Sequence, residues 1–217
     1  SPETSTAPND RLRIVSLGRL VAIKGLEHAI RAVARLSNVE LVIAGDGPER
    51  TKLEALATRL GAPVTFTGEL RGREKTALLA SGHAFVLASI PLASGRTEGM
   101  PTTLLEAMDL GLPVVASDTG GVSDVVVEGK SGFLVPAGDA SALADRLARL
   151  AGDAGLREEL GAFGSDWVRS RYSVPRLVDD IDTLYRALLA RPRQRRKPLT
   201  APLEPVFSAA TRARADR

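Results

Sequence analysis

The chain has 217 residues, no cysteine and only two histidines, His28 and His83, so disulfides and thiolate metal sites are excluded and no metal-ligand spacing is available. Hydrophobic residues make up 44%, ordinary for a soluble globular protein, and no apolar run approaches the roughly twenty residues that cross a bilayer. The formal charge of +3 is uneven: from Arg191 onward eight basic and two acidic residues place +6 on the tail, leaving −3 on residues 1–190, so the body is not a nucleic-acid binder.

Residues 1–10, SPETSTAPND, are polar and read as a linker; a start at Ser1 reads as the start of a fragment. Apolar, β-branched runs then alternate with helical patterns. Strands are expected at Ile14–Leu17, Val39–Ala44, Val64–Thr67, Ala84–Ala88, Pro113–Ala116 and Gly132–Val135, several apolar at nearly every position, as strands covered on both faces are. Between them lie a helical stripe of Leu26, Ile30 and Val33, and helices at Arg50–Leu60, Arg73–Ala80 and Pro101–Leu110, the last opening on a proline. Three helices follow in succession: Ala140–Leu150, Leu156–Arg171, and one beginning after Ser173 with apolar positions Leu177, Ile181, Leu184 and Leu188. Residues 191–217 are basic and proline-rich and read as a disordered tail. Strand–helix alternation with short connections predicts an α/β domain over residues 11–190: a Rossmann-like parallel sheet of about six strands flanked by helices.

Such sheets bind ligands at the carboxyl ends of their strands, so the loops there carry the information. The first, GRLVAIKG, turns at Gly18 and presents Arg19 and Lys24 on either side of a short loop; two converging cations suit a diphosphate, and two solvated surface cations are the plain alternative. Its spacing is not that of a P-loop, and no Gly-x-Gly-x-x-Gly follows the first strand, which argues against a nicotinamide dehydrogenase. The second, AGDGPE, is a tight turn into a helix. In the third, TGEL, Gly68 permits close backbone approach to a flat ligand. The fourth, EGMPTTLLEAMDLGLPVVASDTGG, places Glu98 before a helix and Glu106 about one and a half turns into it. Unpaired N–H groups around Thr102–Leu105 favour an anion, and the two carboxylates are acceptors for sugar and ribose hydroxyls.

Glu98 and Glu106, in the setting EGMPTTLLEAMDLGLPVVAS, resemble the glutamate-x7-glutamate motif of family 4 glycosyltransferases; GRLVAIKG resembles that family's Gly-Arg…Lys-Gly loop, and AGDGPE its Gly-x-Gly-Pro turn. The likeness runs in the family's order from about residue 11 to residue 190, and ASGRTEGMP looks like the sugar transferases of bacterial exopolysaccharide and lipopolysaccharide assembly. It implies the C-terminal, donor-binding half of a GT-B fold and retaining transfer of a sugar from a nucleoside diphosphate to an acceptor hydroxyl. The resemblance implies that Arg19, Lys24 and Glu98 serve catalysis. Gly18, Gly68, Leu70, Gly99, Met100, Pro101, Thr102, Thr103, Leu104 and Glu106 would bind the donor, with Glu98 on the sugar, Thr103 and Leu104 at the phosphates, Glu106 on the ribose and Gly68–Leu70 at the base. It implies no metal and no cofactor beyond the nucleotide-sugar substrate.

The partners it implies are an acceptor glycan or lipid-linked sugar and an N-terminal GT-B domain in cis or in trans, whose acceptor pocket and histidine these residues do not supply. A cytoplasmic location is expected, with the basic tail touching the inner face of the membrane or merely solubilising the chain. Asp109 and Asp124 depart mildly from the family pattern, where a small residue and a glutamate are usual. Three other readings stay open: a nucleotide-sugar-binding domain inactive without a separate N-terminal half, a non-hydrolysing nucleotide-sugar epimerase, and a glycoside hydrolase using the two glutamates as an acid/base pair. The α/β setting disfavours the last.

Overall fold

The computed structural model describes residues 11–190, so the expected linker at 1–10 and basic tail at 191–217, with its membrane contact, lie outside the described residues. Residues 11–176 form one compact unit. It contains six strands: β1 (Leu12–Leu17), β2 (Val39–Ala44), β3 (Val64–Gly68), β4 (Ala84–Leu87), β5 (Val114–Ser117) and β6 (Gly132–Val135). Among them run α1 (Leu26–Val33), α2 (Arg50–Leu60), α3 (Gly72–Ala80) and α4 (Thr102–Asp109), followed by α5 (Ala140–Gly152) and α6 (Ala154–Tyr172). Every strand pairing is parallel, in the order β3-β2-β1-β4-β5-β6.

The apolar strands are sandwiched. In β4, Ala84 and Val86 face a core shared with Ile30 of α1, Leu53 of α2 and Leu147 of α5. Phe85 and Leu87, on the other face, pack with Leu79 of α3, Leu104 and Met108 of α4, and Val168 of α6. This is the period-2 alternation of a strand, apolar on both sides because both sides are covered. Strand β3 is the exception: at the sheet edge it alternates between half-buried and exposed positions.

The last helix, α7 (Val174–Ala190), begins in the compact unit, and its residues from Leu177 belong to a second unit. It follows the expected amphipathic pattern, yet Leu177, Ile181, Leu184 and Leu188 are all exposed. No described helix is long and apolar enough to cross a membrane.

Candidate functional site

The chain winds outward from β1 to β3 in one direction and from β4 to β6 in the other, so a crevice opens at the carboxyl ends of β1 and β4. The loops after those two strands are the ones that carry Arg19, Lys24 and Glu98. Short backbone bonds stitch the loops together. The Gly18 N–H donates to the Ala44 carbonyl at 3.0 Å, Leu20 N–H to Asp46 at 2.9 Å, Gly45 N–H to Gly68 at 2.7 Å, and Ile90 N–H to Ile23 at 2.9 Å.

Two glycines set how closely the loops approach. Gly25 is left-handed (φ +54°), and a Cβ there would lie 2.1 Å from the Ala88 carbonyl oxygen. Gly120, after β5, is likewise left-handed (φ +53°), and its Cβ would lie 1.8 Å from the carbonyl oxygen of Glu98. Any side chain at either position would displace a loop that holds a site residue.

Lys24 closes a short 3-10 turn, Ala22–Lys24, and its ammonium donates to Glu98 Oε1 at 2.6 Å. Glu98 Oε2 accepts from the Ser89 hydroxyl at 2.6 Å. The Lys24 and Glu98 side chains are only 16% and 13% exposed. This is a tight, largely desolvated pair made by residues 74 apart in sequence. Arg19 is exposed and its side chain meets no partner among the described residues. With Gly18, Asp46, Glu69 and Leu70 it lines a cleft of about 370 Å³ over β1, β2 and β3. Gly68 stands at the end of β3, where its carbonyl ties the second loop to the third.

Pro101 is the N-cap of α4, with extended backbone, and the helix proper begins at Thr102, one residue later than the proline suggests. The N–H groups of Thr102 and Thr103 meet no acceptor among the described residues. Leu104 differs from expectation: its N–H already donates to the Pro101 carbonyl at 3.0 Å, and its side chain is fully buried in the core. The first turn therefore presents two free donors, and Leu104 serves packing. Thr103 Oγ1 is buried without a hydrogen-bond partner, another unspent polar atom at this helix start. Gly99 and Met100 are exposed ahead of it, with Met100 against Gly121 of the loop after β5.

Glu106 faces a residue that sequence reasoning passed over. Lys75 of α3 donates to Glu106 Oε1 at 2.9 Å and lies 2.7 Å from Oε2. Nothing local marks Lys75, which stands in an ordinary polar helix face, and only the packing of α3 beside α4 brings the pair together. Ser89 also carries no local mark; the connection from β4 to α4 folds back so that Glu98, nine residues on, meets it. Asp109, the family departure, is held by Arg169 of α6 at 2.6 Å, and Asp124 offers its carbonyl to the Tyr172 hydroxyl at 2.8 Å, so both serve the scaffold. His83 Nδ1 accepts from the Arg13 N–H at 2.9 Å, a structural role.

The arrangement has one exposed cation, one cation already engaged with a carboxylate, and two free N–H groups around a crevice, with a second carboxylate clamped farther along α4. Residues 1–167 match the family described as Glycosyl transferases group 1. A lipopolysaccharide core biosynthesis glycosyltransferase of Rhizobium meliloti, LpsD, is 36% identical over 174 residues, covering 79% of this chain and 48% of that protein. The alpha-D-kanosaminyltransferase of Streptomyces kanamyceticus is 33% identical over 186 residues, covering 83% of this chain and 47% of that protein. Among solved structures, a sucrose-phosphate synthase from Thermosynechococcus elongatus superposes with a TM-score of 0.74 at 29% identity, covering 85% of this chain and 47% of that one. The chain spans about half the length of the curated relatives it matches.

Proposed function

This chain belongs to the group 1 glycosyl transferases and has a Rossmann-like domain of their GT-B fold, and from that membership we propose that it supplies the donor-binding half of a retaining hexosyltransferase. The donor is a nucleoside-diphosphate sugar; the acceptor is a hydroxyl of a glycan or lipid-linked sugar, delivered by an N-terminal GT-B domain in cis or in trans. The observation that carries the reading is the 2.6 Å contact of Lys24 with Glu98 at the β1/β4 crevice, beside a helix start with two unspent N–H groups.

In this reading the diphosphate sits between Arg19, Lys24 and the Thr102–Thr103 N–H groups. The bond from the anomeric carbon to the diphosphate oxygen breaks, and the bond to the acceptor oxygen forms on the same face. The acceptor proton passes to the departing phosphate oxygen. Negative charge grows on the diphosphate as the first bond breaks, and donors already aimed there stabilise it without reorganising. Glu98 accepts from donor-sugar hydroxyls, Glu106 from the ribose, and the Gly68–Leu70 backbone borders the base. No metal takes part in this scheme.

Calorimetric titration of the chain with UDP, GDP and ADP tests the binding half of the proposal; one of them is expected to bind. Turnover with the corresponding nucleotide sugar, with and without an added N-terminal half, tests the rest. The anomeric configuration of the product, read by NMR, is expected to match that of the donor. Failure of all three nucleotides to bind, or an inverted product, overturns the proposal. Isomerisation of the nucleotide sugar with no acceptor present points instead to an epimerase.

A further inference from the structure

We propose that Lys75 is a positioning residue that fixes the plane of the Glu106 carboxylate and thereby sets how strongly the site selects for ribose hydroxyls. The inference rests on the reading that Glu106 takes the nucleotide ribose. A glutamate on a helix surface samples several rotamers, whereas two adjacent hydroxyls on a sugar ring need acceptors at fixed points. Lys75 Nζ lies 2.9 Å from one Glu106 oxygen and 2.7 Å from the other, so the ammonium straddles the carboxylate and fixes its torsion.

A carboxylate offers about four acceptor positions. The ammonium's hydrogen bond goes to Oε1; Oε2, although 2.7 Å away, is buried with no hydrogen-bond partner among the described residues and is the acceptor left unspent. The clamp is not a fixture of the core. Lys75 is 29% exposed, and Leu79 is the only buried residue of α3, the helix that carries it. Helix α3 follows the loop Glu69–Leu70 that lines the cleft beneath the proposed base position. One ammonium thus links the element that follows the base loop to the carboxylate on α4.

The test uses pairs of ligands that differ only in the ribose hydroxyls: UDP, GDP and ADP, each against its 2′,3′-dideoxy counterpart, titrated into the full chain. For whichever nucleotide binds, the wild-type chain is expected to prefer the ribose form by about tenfold, the scale of hydrogen bonds to a charged group. Lys75→Met is expected to bring that ratio to about twofold or less, with an unchanged circular-dichroism spectrum. Lys75→Arg is expected to restore most of it, because the charge returns. Glu106→Gln is expected to lower the ratio, with the double variant no lower than Glu106→Gln alone.

If Glu106→Gln lowers the ratio and Lys75→Met does not, the positioning role is wrong while the ribose assignment stands. If Glu106→Gln leaves the ratio unchanged, the ribose assignment itself falls and Lys75 with it. Equal loss of affinity for both members of a pair in Lys75→Met also overturns the proposal, since it marks Lys75 as a general phosphate attractor.

Discussion

Replacing Glu98 with glutamine should make the chain less stable and yet a better binder of pyrophosphate. The Lys24 ammonium is 2.6 Å from Glu98, and both side chains are less than one-fifth exposed. A diphosphate arriving at Lys24 must therefore compete with a carboxylate already in place. Two unit charges about 4 Å apart attract by about 4 kcal/mol at an effective dielectric of about 20. The desolvation suffered in forming the pair cancels much of this. A net 1–2 kcal/mol or so is left, a factor of about 5–30 in an equilibrium constant.

Glutamine keeps the shape, can still accept from Ser89, and removes the charge. Inorganic pyrophosphate, titrated calorimetrically, should then bind about 5–30-fold more tightly. The melting temperature should fall by about 2–8 °C, as a loss of 1–2 kcal/mol implies for a domain of this size. The nucleotide sugar should lose ground against the bare nucleotide, since the acceptor for its hydroxyls is weakened. Unchanged or weaker pyrophosphate binding in Glu98→Gln would mean that Lys24 does not stand at the phosphate position.

Arg19→Ala should weaken pyrophosphate binding about tenfold or more without lowering the melting temperature, because its side chain meets no partner among the described residues; calorimetry and a thermal melt check both halves. Gly120→Ala and Gly161→Ala form a contrast. A Cβ at Gly120 would lie 1.8 Å from the Glu98 carbonyl oxygen, whereas one at Gly161 would lie 2.0 Å from the Gly111 carbonyl oxygen, on the scaffold between α6 and the end of α4. Both should cost about 1–3 kcal/mol in chemical denaturation, but only Gly120→Ala should reduce nucleotide-sugar affinity of the folded protein. Asp109→Ala breaks a pair whose side chains are 63% and 50% exposed, so its melting temperature should shift by less than about 4 °C and nucleotide affinity should not change.

Much of this molecule is written locally. Strand β2 needs only its run Val39–Ala44, apolar at every position but the half-buried Glu40, because a strand covered on both faces is apolar nearly throughout, and that pattern survives any change in its neighbours. The loop motifs are local as well, since a turn that brings backbone close to another loop demands glycine at Gly25, Gly45 and Gly120. So the parallel α/β class and the candidate positions Arg19, Lys24, Glu98 and Glu106 follow from residue order and type. The first turn of α4 was legible only in outline: a proline before a helix marks its start to within a residue, but which N–H groups stay free depends on where the Pro101 carbonyl points.

The partnerships were not legible, because they join residues whose separation carries no periodicity. Lys24 and Glu98 are 74 residues apart, and Lys75 and Glu106 are 31 apart. Whether each pair meets is decided by the strand order β3-β2-β1-β4-β5-β6 and by which face each crossover helix covers. Hydrophobic pattern reports that a segment is buried and not what it is buried against. A charged side chain's partner is therefore known only once the chain has been wound into three dimensions.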